Sequence, residues 1–262
     1  MANTPGVYVN VLKNGTPTYR ASFTHKNKHI SLGTYVTEEA AKAAYDYALV
    51  LMHETESPED YKEGCPLNFE KFVILCNLRD NGIYISKPVY LEKKYFIYHF
   101  SPGLSYKFDM DDLFYFSSHK LMKRGNHLFV SDYGLQMSLN ERFGIRPFSV
   151  EGRDHVFING DKTDFRRENI GIINRFHGVL REEKKTTVLY KTVIHVNGNI
   201  IVGRYEDEIE AAIAYNKAVD LLTSAGIEKK YPQNYIDGLS AREYAEIYTA
   251  VKVSDRLLHL RE

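Results

Sequence analysis

Two stretches of this chain repeat one another at a fixed offset: LGTYVTEEAAKAAYDYALVL from Leu32 to Leu51, and VGRYEDEIEAAIAYNKAVDLL from Val202 to Leu222. Gly33, Tyr35, Glu38, Ala41, Ala44, Tyr45, Ala48 and Leu51 recur at Gly203, Tyr205, Glu208, Ala211, Ala214, Tyr215, Ala218 and Leu221, each displaced by 170 residues. Eight preserved positions require the chain to build one small unit twice, with other material between the copies. Upstream, Gly6-Val7 and Tyr19 correspond to Gly178-Val179 and Tyr190 with small differences in loop length. Each unit reads as a short sheet followed by a helix, because alternating segments such as YRASF and HISLG precede an alanine-rich run of helical period. Thr37 is placed to cap the first helix with Glu38 and Glu39 in its opening turn. Asp207 and Glu210 form a capping-box arrangement before the second.

With 262 residues the chain is long enough for two or three small domains with cores of their own. The 34 basic residues balance the 34 acidic ones, which counts against a protein that coats nucleic acid indiscriminately, so any nucleic-acid contact must come from a local patch. Cys65 and Cys76 make neither a metal-ligand spacing nor a disulfide framework, which suits a reducing compartment. The opening MANTPGVYVN has no apolar signal core and no apolar run reaches membrane-spanning length, so the expectation is a soluble, cytoplasmic protein. Twenty tyrosines and no tryptophan fit strand-rich domains with half-exposed faces.

Between the copies lies Asp154 to Ile170, DHVFINGDKTDFRRENI. Counted from the Asn159-Gly160-Asp161 turn, it resembles the D-H-I-N-G-D-x-x-D-N-R-x-x-N-L pattern of phage and homing HNH endonucleases, with Asp164, Arg166, Arg167 and Asn169 in matching places. The resemblance puts that family's metal-binding Asp at Val156, its general-base His at Phe157, its central Asn at Phe165 and its last metal-contacting residue near Gly178. A phenyl ring neither deprotonates water nor ligates a cation. Asp154 and His155 stand two residues upstream of the expected pair, about 6–7 Å along a strand, and a bulge would restore that distance. They and His177 are therefore the vestigial catalytic candidates, with no metal ligand assigned.

The repeated unit, with its G-V, Y-R-A, I-x-L-G and T-x-E-x-A-x-x-A-Y-D-x-A pattern, resembles the AP2 DNA-binding domain, and the order AP2, HNH, AP2 is similar to that of phage and mobile-element endonucleases. In AP2 domains the helix covers one sheet face and the other enters the major groove. If Ala21, Phe23, Ile30 and Leu32 face the helix, strand parity turns Arg20, Ser22, Thr24, His29 and Ser31 outward, joined by Tyr8 and Asn10, with His25, Lys26 and Lys28 at the turn reaching phosphates. Arg20 is the expected guanine reader, because its fork matches O6 and N7. In the second copy the same parity turns Leu180, Glu182, Lys191, Val193, His195, Asn199 and Ile201 outward. The apolar Leu180, Val193 and Ile201 suit a protein partner or a homodimer, and thymine-methyl contact is the alternative. Arg153, Arg166, Arg167 and Lys191 complete the candidate DNA contacts.

Lys71 to Phe108 carries alternating aromatic and β-branched runs and reads as a hairpin-rich sheet. Ser240 to Leu260 opens with a capping box and continues at helical spacing as a terminal helix, a second candidate dimer contact. The expected architecture is α+β, two AP2-like units of three strands and a helix flanking a degenerate ββα-metal core. Its segments are residues 1–69, a strand-rich connection 70–108, the HNH-like segment 109–177, the second unit 178–237 and a helix 238–262. The expected function is sequence-specific binding of double-stranded DNA in a regulatory role, without catalysis and without a cofactor. Two alternatives stay open: an active HNH endonuclease, which would need Mg²⁺, and a protein-interaction module that has lost DNA binding.

Overall fold

The computed structural model describes residues 4–258, so the last four positions of the expected helical segment 238–262 fall outside the described residues. The fold is mixed α+β, with four three-stranded antiparallel sheets and one two-stranded sheet among the described residues. Two compact units divide the chain: residues up to 143 together with 159–169, and residues 144–158 together with 170 onward.

In the first unit, β1 (Val7–Val11), β2 (Pro17–His25) and β3 (Lys28–Tyr35) form a meander followed by α1 (Glu38–Leu51). Thr37 caps α1 by accepting the Ala40 N–H at 3.2 Å, and Ala41, Ala44, Ala48 and Leu51 are its buried face. Alanines let the helix lie close on Ala21, Phe23, Ile30 and Leu32, all buried in the same core. Next comes α2 (Phe69–Asn81), capped by Asn68, which accepts from Lys71 N–H, and closed by Gly82 at φ 70°.

This helix overturns part of the hairpin-rich expectation for Lys71 to Phe108, since strands begin only at Val89. Phe72 to Leu78 are buried without a break, so α2 has no amphipathic period to betray it and its β-branched and aromatic content reads as strand. Then follow β4 (Val89–Leu91), β5 (Tyr95–Ser101) and β6 (Leu104–Asp109) as one sheet, and the short α3 (Leu113–Ser118). A second sheet, β7 (Leu121–Arg124), β8 (His127–Asp132) and β9 (Leu135–Ser138), leads into α4 (Leu139–Arg142). Phe96, Phe108, Phe116, Phe143 and Phe165 stack into one aromatic core, with Phe108 and Phe116 centroids 4.2 Å apart.

In the second unit, β10 (His155–Phe157) pairs with β11 (Ile170–Ile172), and their connection, residues 159–169, belongs to the first compact unit. There follow β12 (Val179–Glu183), β13 (Val188–His195) and β14 (Asn199–Tyr205), then α5 (Glu208–Ser224), α6 (Ala241–Ala250) and α7 (Asp255–Leu258). Ser240 and Glu243 form the expected capping box. The terminal helix is not continuous, however: Val251 turns extended (ψ 128°) and buries its side chain among Ile194, Val202 and Leu222, ending α6.

The repeat extends to the backbone. The β2–β3 register slips between Ala21 and Ser22, and the β13–β14 register slips between their counterparts Thr192 and Val193. Ser22 N–H donates to the Gly6 carbonyl at 2.9 Å, as Val193 N–H donates to that of Gly178 at 2.7 Å. Gly6 (φ 73°) and Gly178 (φ 68°) are both left-handed, and a Cβ on either would lie 2.1 or 2.3 Å from the ring of Tyr45 or Tyr215. Gly178 is thus held in place by the requirements of the repeated unit.

Candidate nucleic-acid interface

The first sheet turns one face to its helix and the other to solvent. Tyr8, Asn10, Arg20, Thr24, Lys26, Lys28 and His29 are exposed, and His25 and Ser31 are half-buried. Ser22 departs from the expectation. It pairs across the ladder with Ser31 on the outer side, yet it is 1 % exposed with its hydroxyl unpartnered, so it is closed off from solvent where exposure was expected. Tyr8 and His29 meet edge to face at 6.4 Å, and Lys28 Nζ sits 4.1 Å from the centre of the Tyr84 ring. Lys26 and Asn27 both take positive φ (44° and 64°), the two-residue hairpin turn whose twist matches the flanking strands, and this carries Lys26 out at the tip.

The charge of this face is one-sided. From Val7 to Tyr35 the sequence holds Lys13, Arg20, Lys26 and Lys28 but no Asp or Glu, and Arg20 makes no ion pair among the described residues. The zero net charge of the whole chain hides that local imbalance. An unpaired guanidinium on an open sheet face is free to donate two parallel hydrogen bonds to one planar acceptor pair.

In the second sheet, Val179 faces Thr192 across β12 and β13 as Val7 faces Ala21 across β1 and β2, so Glu182 stands where the first copy has Asn10. Its Oε1 lies 2.6 Å from Lys191 Nζ and its Oε2 3.0 Å from Arg204 Nε, and those two hydrogen bonds hold its carboxyl below the usual range. Lys191, half-buried, is the counterpart of Arg20, yet its charge is already matched. Leu180 and Val193 are half-buried and Ile201 is 45 % exposed. The Arg181 N–H on edge strand β12 donates to Asn174 Oδ1 at 2.7 Å, whereas the same position on β1, Val9, stands open.

Around the HNH-like stretch, acidic and basic groups are committed to one another. Asp154 is 2 % exposed. Burial opposes its ionisation, but hydrogen bonds from Arg153, the Val150 N–H and Asn174 prevail and hold its carboxyl down at about 2. His155 is buried, its Nδ1 2.8 Å from Ser149 Oγ and its ring edge-on to Phe157 at 5.8 Å. Val156 and Phe157 are half-buried on the same strand.

In the connecting loop, Asp164 is fully buried and bonded by Arg166 at 2.6 and 2.9 Å and by Asn159 at 3.0 Å. Asn169 closes the loop by donating to the Asp161 and Asp164 carbonyls and accepting from Asn159 N–H. Arg167 reaches Asp109 at 3.3 Å and Asp112 at 3.1 Å. Phe165 is 2 % exposed and stacks on Phe108 and Phe143, so the position of the family's Asn serves here as core packing. Arg153, Arg166 and Arg167, expected at phosphates, thus each hold a carboxylate of the protein itself.

His177 is gripped through its backbone by Asn234, which accepts from its N–H at 2.7 Å and donates to its carbonyl at 3.1 Å. Burial first and Arg146 second pull its pKa down, so the ring is neutral at neutral pH. Among the described residues, no group of three or more His, Cys, Asp or Glu side chains is placed to hold a metal ion, and no helix is long and apolar enough to cross a membrane. No protein-family model, curated protein or solved structure matches this chain.

Proposed function

We propose that this chain is a sequence-specific double-stranded DNA-binding protein built on the AP2–HNH–AP2 arrangement, acting as a cytoplasmic regulator of transcription or of a phage or mobile element. The β1–β3 face enters the major groove, Arg20 reads a guanine edge, and Lys26 and Lys28 take flanking phosphates. The observation that carries the reading is the carboxylate-free outer face of the first sheet with an unpaired Arg20 at its centre. The HNH-like segment serves as structure: Asp154 is spent on Arg153, Val150 and Asn174, and Phe165 on the aromatic core.

Selection of bound duplexes from a random pool, repeated with Arg20→Ala, tests the reading. It requires an enriched motif whose preference relaxes at one base pair in the variant, and binding whose log K falls with log salt by about 0.9 per phosphate contacted. No enriched motif and no salt dependence would sink it. Nicking of a plasmid with Mg²⁺ that is abolished by His155→Ala would instead establish the nuclease alternative. A second reading applies to the second sheet, where the internal pairing of Lys191 and Arg204 on Glu182 favours a protein partner or a second copy of the chain over DNA.

A further inference from the structure

The basic run Lys120-Leu-Met-Lys-Arg124 lies outside the face assigned to duplex DNA, and the fold gives it an aromatic floor. Tyr98, buried in β5, accepts the Leu121 N–H on its hydroxyl at 3.1 Å, which pins the start of β7 over that strand. Beside the β5–β6 register slip, Phe100 stays half-buried and lines the same cleft as Tyr98, its ring edge-to-face with Tyr106 at 6.3 Å. Opposite, Phe129 on β8 is also half-buried and pairs with Met122 across the β7–β8 ladder. Between them opens a cleft of about 430 Å³ with Lys120, Lys123 and Arg124 on its wall. Lys120 is neutralised by Glu70, the cleft's one carboxylate. Lys123 and Arg124 are exposed and make no ion pair among the described residues, and Arg124 hovers 5.8 Å from the centre of the Phe129 ring. All of this lies within the first compact unit.

Two phenyl walls and two unspent cations make one composite demand on a ligand: a flat aromatic ring joined to an anion. We propose that this cleft binds a nucleotide, its base on Phe129 and Phe100 and its phosphate on Lys123 and Arg124. Ring stacking accepts any base, because every base has a π-face, and the guanidinium already drawn over Phe129 can reach a phosphate attached to the base stacked there. The same chemistry comes from a free nucleotide or from a nucleotide within a single strand. The site therefore adds single-strand or nucleotide affinity to the chain and does not depend on the duplex-reading face.

The test is titration of the full-length protein with a fluorescein-labelled single strand of about 12 nucleotides, with deoxynucleoside monophosphates, and with inorganic phosphate. Each is run on the native chain, Lys123→Gln/Arg124→Gln, Phe129→Leu, Phe129→Tyr and Arg20→Ala. Single-strand affinity should fall at least about fivefold in both the cation variant and Phe129→Leu, and survive in Phe129→Tyr, which keeps the stacking surface. The salt slope should shrink by about 0.7 in the cation variant, for the one single-strand phosphate that the two cations hold.

Monophosphates binding as tightly as the strand identify the free nucleotide as ligand, and binding of the strand alone identifies a nucleic acid. Unchanged affinity in both variants, a loss in only one of them, or equal affinity for inorganic phosphate overturns the proposal. Should Phe129→Leu fail to fold, Phe100→Leu takes its place with the same expectation. Arg20→Ala should leave single-strand binding untouched, so that failure here and failure of the duplex reading are seen separately.

Discussion

The two copies of the repeated unit share a backbone down to the same register slip, the same left-handed glycine and the same tyrosine packed on it, yet their outer faces differ. In the first, Asn10, Arg20 and Thr34 occupy the positions held in the second by Glu182, Lys191 and Arg204. One carboxylate among two cations turns an attractive surface into a self-satisfied one, because each internal pair must be broken before a phosphate can be engaged. The edges diverge too: β1 is open at Val9, while β12 is closed by Asn174, itself held on Asp154. Duplication fixed a scaffold, and a few exposed positions set what each copy can meet.

The largest effects should come from what the copies share. Gly6→Ala and Gly178→Ala each force a Cβ into a tyrosine ring at positive φ, and each should cost on the order of 3 kcal/mol in denaturant unfolding. A tolerated alanine at either site would break the equivalence. Next, Asp154→Asn removes the anchor of the Asn174 link and should cost about 2 kcal/mol at neutral pH. Because the folded carboxyl titrates near 2 and an unfolded one near 4, the native chain should lose that stability as pH falls through this window, and the variant should show no such loss.

Third, Arg20→Ala should lose roughly 1–3 kcal/mol of discrimination at one base pair, while Lys191→Ala changes duplex affinity by less than about twofold; equal effects would erase the contrast between the sheets. The smallest expected change sharpens it. Glu182→Gln frees Lys191 and Arg204, so duplex affinity should rise by at most about fivefold and the salt slope steepen by up to about 1.8.

Much of each unit was legible in advance. Ala21, Phe23, Ile30 and Leu32 follow strand parity, and Thr37, Asp207 and Ser240 cap where their side chains and first-turn acids indicate. Ser22 is buried although parity and its ladder partner Ser31 place it on the outer side, because parity fixes the side a residue takes and not how much solvent reaches it. The α2 segment reads as strand in sequence because burial on all sides erases the period that distinguishes a helix from a strand. Arg153, Arg166 and Arg167 look like surface cations in sequence, but their partners Asp109 and Asp112 lie more than fifty residues away from Arg167, and the pairs formed by Arg153 and Arg166 depend on local loop geometry. The acid-free stretch from Val7 to Tyr35 is visible in the sequence alone, because it is a local property of charge order that the net charge of the chain averages away.

By itself, the sequence determined that one sheet-and-helix unit is built twice, where each helix starts, and which strand residues share its core, since these follow from short-range period and capping chemistry. Only the tertiary structure decided which charges are spent and which are free. Glu182 silences two cations, Asp154 and Asp164 are consumed by their own arginines, and Lys123 and Arg124 make no ion pair among the described residues, with Arg124 over the Phe129 ring. An ion pair depends on side-chain atoms meeting within about 4 Å, and that distance is set by packing between residues whose separation in sequence carries no record of it.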